Sequence, residues 1–207
     1  MRTLEDTSVK DIINESLKKA MSYENYRDVV RELVEKESTT GHEKTEALIN
    51  YTTLNDRRMK RWDKTIKVSD VIKDKIRNFQ GHVTWLVITE SWCGDAAHVV
   101  PVLNKLAELS DQIDLKLVLR DENEALMDQF LTNGGRAIAK LIMIDNATGD
   151  VINTFGPRPS EATQLVNDYK AKHGALTPEF KEDLQVWYNK DKGQNIINDI
   201  MELLGLS

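Results

Sequence analysis

Cysteine is nearly absent from this chain: Cys93 stands alone among 207 residues. One cysteine excludes an intramolecular disulfide and a cysteine-rich metal site, and it fits a reducing compartment. Long apolar runs are missing as well. No stretch approaches the ~18 residues of a membrane span. The segment Met1-Arg2-Thr3-Leu4-Glu5-Asp6 lacks the apolar core and small-residue cleavage site of a secretory signal. These absences predict a cytoplasmic protein. Prolines are confined to Pro101, Pro157, Pro159 and Pro178, and no low-complexity linker or internal repeat is visible. Nor is there an excess of cationic residues. The net charge of −6 weighs against bulk binding to nucleic acid or anionic membranes, so neither is expected as a partner.

What is present reads as a globular chain, 40% hydrophobic and 30% charged, long enough to bury a sizeable core. From residue 7 to about 78 apolar residues recur at helical spacing, as in Val9, Ile12, Ile13 and Leu17, or Tyr26, Val29, Val30, Leu33 and Val34. Ser22 is a cap for the second run and Gly41 marks a break. The pattern then changes. His82–Thr89 is short, β-branched and aromatic, the signature of a buried strand. Further strands are expected at 114–119, 140–145 and 151–155, the last two forming a hairpin across Asn146–Asp150. Helices are expected at about 94–109, 122–131 and 160–172, the last capped by Ser160. A C-terminal helix opens at Thr177-Pro178. The order predicts an α/β fold: a four-stranded mixed sheet with helices on both faces.

Trp92-Cys93-Gly94-Asp95-Ala96, at the end of the first strand and the start of a helix, resembles the thioredoxin motif Trp-Cys-Gly-Pro-Cys. Pro101 falls eight residues after the cysteine, where thioredoxins kink this helix. Gly135-Arg136-Ala137-Ile138-Ala139 resembles the segment that precedes the thioredoxin third strand, and Gly156 resembles the glycine closing the active-site rim. The resemblance to the thioredoxin-like superfamily covers roughly 80–172. With its helical extension and Gly156-Pro157-Arg158-Pro159, the whole chain is similar to a bacterial thioredoxin-family group bearing Trp-Cys-Gly-Asp-Ala. The implied division is a helical N-terminal extension (1–78), a thioredoxin-like domain (79–175) and a C-terminal helical segment (176–207).

The resemblance implies that Cys93 is the nucleophile, and the departures from it carry further expectations. Ala96 replaces the resolving cysteine, which removes dithiol turnover and leaves monothiol exchange through a mixed disulfide. The implied co-substrate is a low-molecular-weight thiol, with no other cofactor and no metal; the implied partners are protein or small-molecule thiols and disulfides. Ala139 stands in the place of the cis-proline, so Ile138–Ala139 is expected to be trans. Val87 falls where many thioredoxins keep a buried aspartate; Glu90 could assume that part only by pointing inward. Asp95 suits a helix start but opposes a nearby thiolate. Trp92 and Gly94 complete the motif, and Arg136 and Arg158 are expected to flank loops converging on Cys93. The thiol is therefore expected to be mildly activated.

Several neighbours get plainer readings. His98 is expected to be a solvated helix residue, and Arg120-Asp121 a local turn feature. Trp187-Tyr188 should pack against the extension. Arg57, Arg58, Lys60, Arg61, Lys64 and Lys67 should form a solvated basic helix face. Two functions follow: a monothiol thiol–disulfide exchange protein, or a non-catalytic thioredoxin-fold binding module.

Overall fold

The computed structural model describes residues 8–207, so the expectations for Met1–Asp6 and residue 7 lie outside the described residues. Four helices come first: α1 (Val9–Leu17), α2 (Tyr23–Glu35), α3 (Glu46–Thr65) and α4 (Asp70–Arg77). Each starts on a hydroxyl side chain that accepts a backbone N–H of its first turn. These caps are Ser8, the expected Ser22, Thr45 and Ser69. The α/β core follows as β1 (Val83–Thr89), α5 (Ala96–Ala107), β2 (Ile113–Leu119), α6 (Glu124–Gln129), β3 (Lys140–Asp145), β4 (Val151–Phe155) and α7 (Ser160–His173).

The strand order is β2-β1-β3-β4, with β1 parallel to β2 and the other pairs antiparallel. The four expected strands agree with the observed ones to within a residue. Central β1 is buried from Trp85 to Thr89, as its run of Trp, Leu, Val and Ile requires. Edge β4 alternates, exposing Ile152 and Thr154. The other edge, β2, is partly covered. Met21, between α1 and α2, exchanges two 2.9 Å backbone hydrogen bonds with Leu117, which blunts an otherwise open edge.

Two expectations about the C-terminal half change. Ser160 does not cap α7: its N–H and hydroxyl both go to the Asp199 carboxylate at 2.7 Å, and Pro159 occupies the cap position. The C-terminal segment is two helices, α8 (Pro178–Asp191, capped by Thr177) and α9 (Gln194–Leu203). Lys192 and Gly193, both left-handed, break it between them. The helix α3 packs on α5, and α9 packs on α5 and α7. Among the described residues, no helix is long and apolar enough to cross a membrane.

Candidate active site

The loop after β1 is held rigidly before it reaches the cysteine. The Ser91 hydroxyl sits among those of Thr39, Thr40 and Thr52, at 2.8–3.1 Å, and Ser91 N–H donates to Thr40 Oγ1 at 2.8 Å. Asn55 Nδ2 donates to the Ser91 carbonyl at 2.9 Å. All of these partners come from the helical N-terminal part, so the extension positions the site loop. Sequence reasoning missed this cluster, because hydroxyls spread over fifty residues have no spacing signature. Trp92 is half-buried beside it, with the Arg120 guanidinium 4.8 Å from its ring.

Cys93 lies at the start of α5, as expected, and its carbonyl accepts the N–H of Ala97 at 3.2 Å. The residue is only 7% exposed. The thiol donates to the Ile138 carbonyl at 3.2 Å, and Ala96 N–H donates to Sγ at 3.4 Å. Helix-start N–H groups favour a thiolate. Burial wins over them: together with the Asp95 charge it pushes the thiol up to about 12, against the pull of the Ala96 and Asp95 N–H groups and Arg158. The thiol is thus protonated at neutral pH, where the sequence reading expects mild activation. The sequence shows the helix start but not the lid of packing over it.

Asp95 is the hub of a buried polar chain. Arg158 Nη2 pairs with its carboxylate at 2.7 Å, and Tyr188 donates its hydroxyl at 3.1 Å. Burial lifts Asp95 above the ordinary carboxylate range, and Arg158, Tyr188 and Arg58 oppose that lift. The Tyr188 ring stacks on His98, with centroids 4.2 Å apart. His98 is therefore not a solvated residue: it is 1% exposed. Trp62 Nε1 donates to His98 Nδ1 at 2.8 Å, which leaves Nε2 as the donor to Gln185 Oε1 at 2.6 Å. This imidazole is neutral, and burial lowers it to about 3. On α5 it points away from solvent because α3 and α8 cover that face, an arrangement invisible to local periodicity. Tyr188 likewise reaches the site itself, while Trp187 remains half-buried.

Other expected residues separate. Arg158 converges on the site, but Arg136 does not: its guanidinium pairs with Asp128 at 2.7 Å and Glu124 at 3.3 Å on the outer face of α6. The Ile138–Ala139 peptide is cis, not trans as expected. Ile138 O accepts from Cys93, and Ala139 O lies 2.1 Å from where a Cβ on Gly156 would stand. Gly156, with φ of 111°, is thus required for the close approach of the two loops.

Val87 is buried apolar strand. Glu90 does point inward: it is fully buried, accepts Asp121 N–H at 2.9 Å, and is raised by burial. Arg120-Asp121 is more than a local turn, because Asp121 also accepts His42 N–H at 3.1 Å and so ties the extension to the end of β2. The site can present a single protonated thiol, a nearby buried carboxylate and one arginine. The chain has no second cysteine to add to it.

The fold has solved relatives. A protein of unknown function from Pseudomonas aeruginosa superposes with a TM-score of 0.56 at 17% identity, over 75% of this chain and 84% of that one. An HIV epitope-scaffold gives a TM-score of 0.55 at 17% identity, over 90% of this chain and 99% of that one. At such identities the likeness is one of fold. No curated protein matches the sequence significantly. The family model described as thioredoxin matches residues 41–170, beginning ahead of α3 rather than at the first strand. That match spans more than half of the chain, which accordingly belongs to the thioredoxin family.

Proposed function

We propose that the protein is a cytoplasmic monothiol member of the thioredoxin family, of the bacterial group bearing Trp-Cys-Gly-Asp-Ala. In this reading it exchanges Cys93 with disulfides of proteins or small molecules. The observation that carries the reading is the sulfur at the start of α5 with the Ala96 N–H on it at 3.4 Å, and no second cysteine in the chain. In the exchange, the partner's S–S bond breaks and a Cys93–sulfur bond forms. The thiol proton leaves with the displaced sulfur. A low-molecular-weight thiol then attacks the mixed disulfide, regenerating Cys93 and releasing a new disulfide. Trp92, Gly94, Ile138 and Ala139 form the rim against which a partner docks, and Asp95 with Arg158 sets the charge beside the sulfur.

A second reading, a non-catalytic binding module, is favoured by one observation: the thiol is buried and held protonated. Incubation with glutathione disulfide or bacillithiol disulfide, followed by intact-mass measurement, separates the two. The exchange reading expects one adduct on Cys93, formed faster as pH rises and lost in Cys93→Ser. It also expects no insulin reduction with thioredoxin reductase, and a gain of that activity in Ala96→Cys. Absence of any adduct across the alkaline range replaces exchange with the binding module.

A further inference from the structure

We propose that the cleft between α3 and α8 is a binding site for a small compound bearing two or more anionic groups, carboxylate or phosphate. The cleft has a volume of about 340 Å³, at the lower end for small-molecule sites, and is lined by Leu54, Arg57, Arg58, Arg61, His98, Gln185 and Asn189. Three guanidinium groups thus face one concavity on a chain whose net charge is −6.

What singles them out is that their acids are spent elsewhere. Of the three acids of α3, Glu46 sits in the first turn, about three turns before Arg57, while Asp56 and Asp63 lie on the face toward α2, where Arg27 pairs with them at 3.0 and 3.5 Å and Tyr23 donates to Asp63 at 2.6 Å. Asp95, the carboxylate that acts on Arg58, is held by Arg158. Among the described residues, none of the three arginines has a carboxylate within 4.0 Å. Arg58 is half-buried and donates only to the neutral Asn55 Oδ1, at 3.0 Å. Arg61 donates to Asn189 Oδ1.

The two α8 residues that line the cleft, Gln185 and Asn189, carry no charge. They spend their carbonyl oxygens on His98 and Arg61, and among the described residues their amide N–H groups have no protein acceptor. His98 is neutral and buried at the base of the cleft, and Leu54 contributes its apolar edge. Arg61 and Asn189 also border a larger neighbouring cleft of about 700 Å³ that carries Lys67 and Lys192. A ligand with more than one anionic group can therefore span both. Paired guanidinium forks suit carboxylate and phosphate oxygens equally, so the shared chemistry is a planar or tetrahedral oxyanion.

Calorimetric titration of the full chain with pyrophosphate and with citrate, at low ionic strength, tests the site. Saturable single-site binding of either anion is expected; pyrophosphate alone assigns phosphate, and citrate alone assigns carboxylate. Each hydrogen bond to a charged group is worth enough that R57Q/R61Q should weaken binding about tenfold or more. R58Q should do the same. K60Q/K64Q removes the same charge from the same helix outside the cleft, and should change binding by about twofold or less. Cys93→Ser should bind as the parent does, because the site is independent of the thiol chemistry. No saturable heat for either anion up to about 10 mM overturns the proposal, as does equal weakening by the two double variants, which would mark a diffuse charge effect.

Discussion

Two glycine–arginine loops, Gly134-Gly135-Arg136 and Gly156-Pro157-Arg158, approach the Cys93 rim, and they look alike in sequence. In the fold they differ at every level. Gly134 has φ of +75° with nothing within 4 Å of a would-be Cβ, whereas Gly156 has Ala139 O at 2.1 Å. Arg136 is half-exposed and pairs with two acids of α6; Arg158 is 23% exposed and pairs with an Asp95 that is 13% exposed. The same residue types therefore make a surface turn in one loop and a buried electrostatic element in the other. Burial, which sequence shows only indirectly, makes the difference.

The largest test of this contrast is at the glycines. Gly156→Ala forces a Cβ into backbone that cannot rotate aside, and adds an unfavourable φ. A loss of about 3 kcal/mol or more in chemical denaturation is expected. Gly134→Ala meets only the φ term and should lose about 1 kcal/mol. Equal losses would mean that the two loops are equally free.

The arginines come next. Removing one partner of a fully buried pair costs roughly 3–5 kcal/mol. With 23% and 13% exposure, Arg158→Ala should lose about 2–3 kcal/mol. Adding Asp95→Asn should recover part of that loss, because the stranded charge is gone. Arg136→Ala should leave the denaturation midpoint where it was, since its ion pairs are exposed to solvent and screened.

Beyond the two loops, the contrast between buried and exposed extends to pH. His98 sits at about 3 in the folded chain, below its ordinary 6.5. The unfolded chain therefore takes up a proton that the folded chain refuses. The stability this contributes is complete above about 6.5 and is lost as pH falls toward 3. Stability measured against pH for the parent and for His98→Asn should show the parent's advantage shrinking across that window. Asp95 and Glu90, raised by burial, bind protons more readily when folded and act in the opposite direction. They are present in both proteins and cancel in the difference. A constant advantage from pH 7 to 4 would mean that His98 is not kept neutral.

These contrasts also indicate what the sequence could reveal. Strand positions were legible because β-branched and aromatic runs such as Trp85–Ile88 have one buried solution. The cysteine's place at a helix start was legible because Trp92–Ala96 joins a strand pattern to a helix pattern. Side-chain convergence was not legible. Arg136 and Arg158 carry the same label, and only the tertiary placement of α8 and of the loop between β4 and α7 brings Tyr188 and Arg158 together at Asp95. His98 was misread for the same reason, since a histidine on an amphipathic helix gives no sign that a second helix covers it. The hydroxyl cluster at Ser91 required the tertiary placement of α3 before it could exist.

The smallest expected differences between variants are in the reactivity of the thiol, and they test whether the buried loop governs Cys93 as the geometry implies. With the thiol pushed up to about 12, the thiolate fraction at pH 7 is minute. Alkylation by iodoacetamide should therefore run slower than for an exposed cysteine by on the order of a thousandfold. Among the variants the signs are fixed by the groups around the sulfur. Asp95 raises the thiol, so Asp95→Asn should speed alkylation; Arg158 lowers it, so Arg158→Ala should slow it. Arg136 does not reach the sulfur, and Arg136→Ala should leave the rate unchanged. Local opening of the loop would also speed alkylation, but it does so at every pH. A charge effect instead moves the midpoint of the pH–rate curve. Shifts of opposite sign for Asp95→Asn and Arg158→Ala, with none for Arg136→Ala, identify the Asp95–Arg158 pair as the element that sets the proton affinity of Cys93. Parallel curves with unchanged midpoints would assign the low reactivity to steric burial alone.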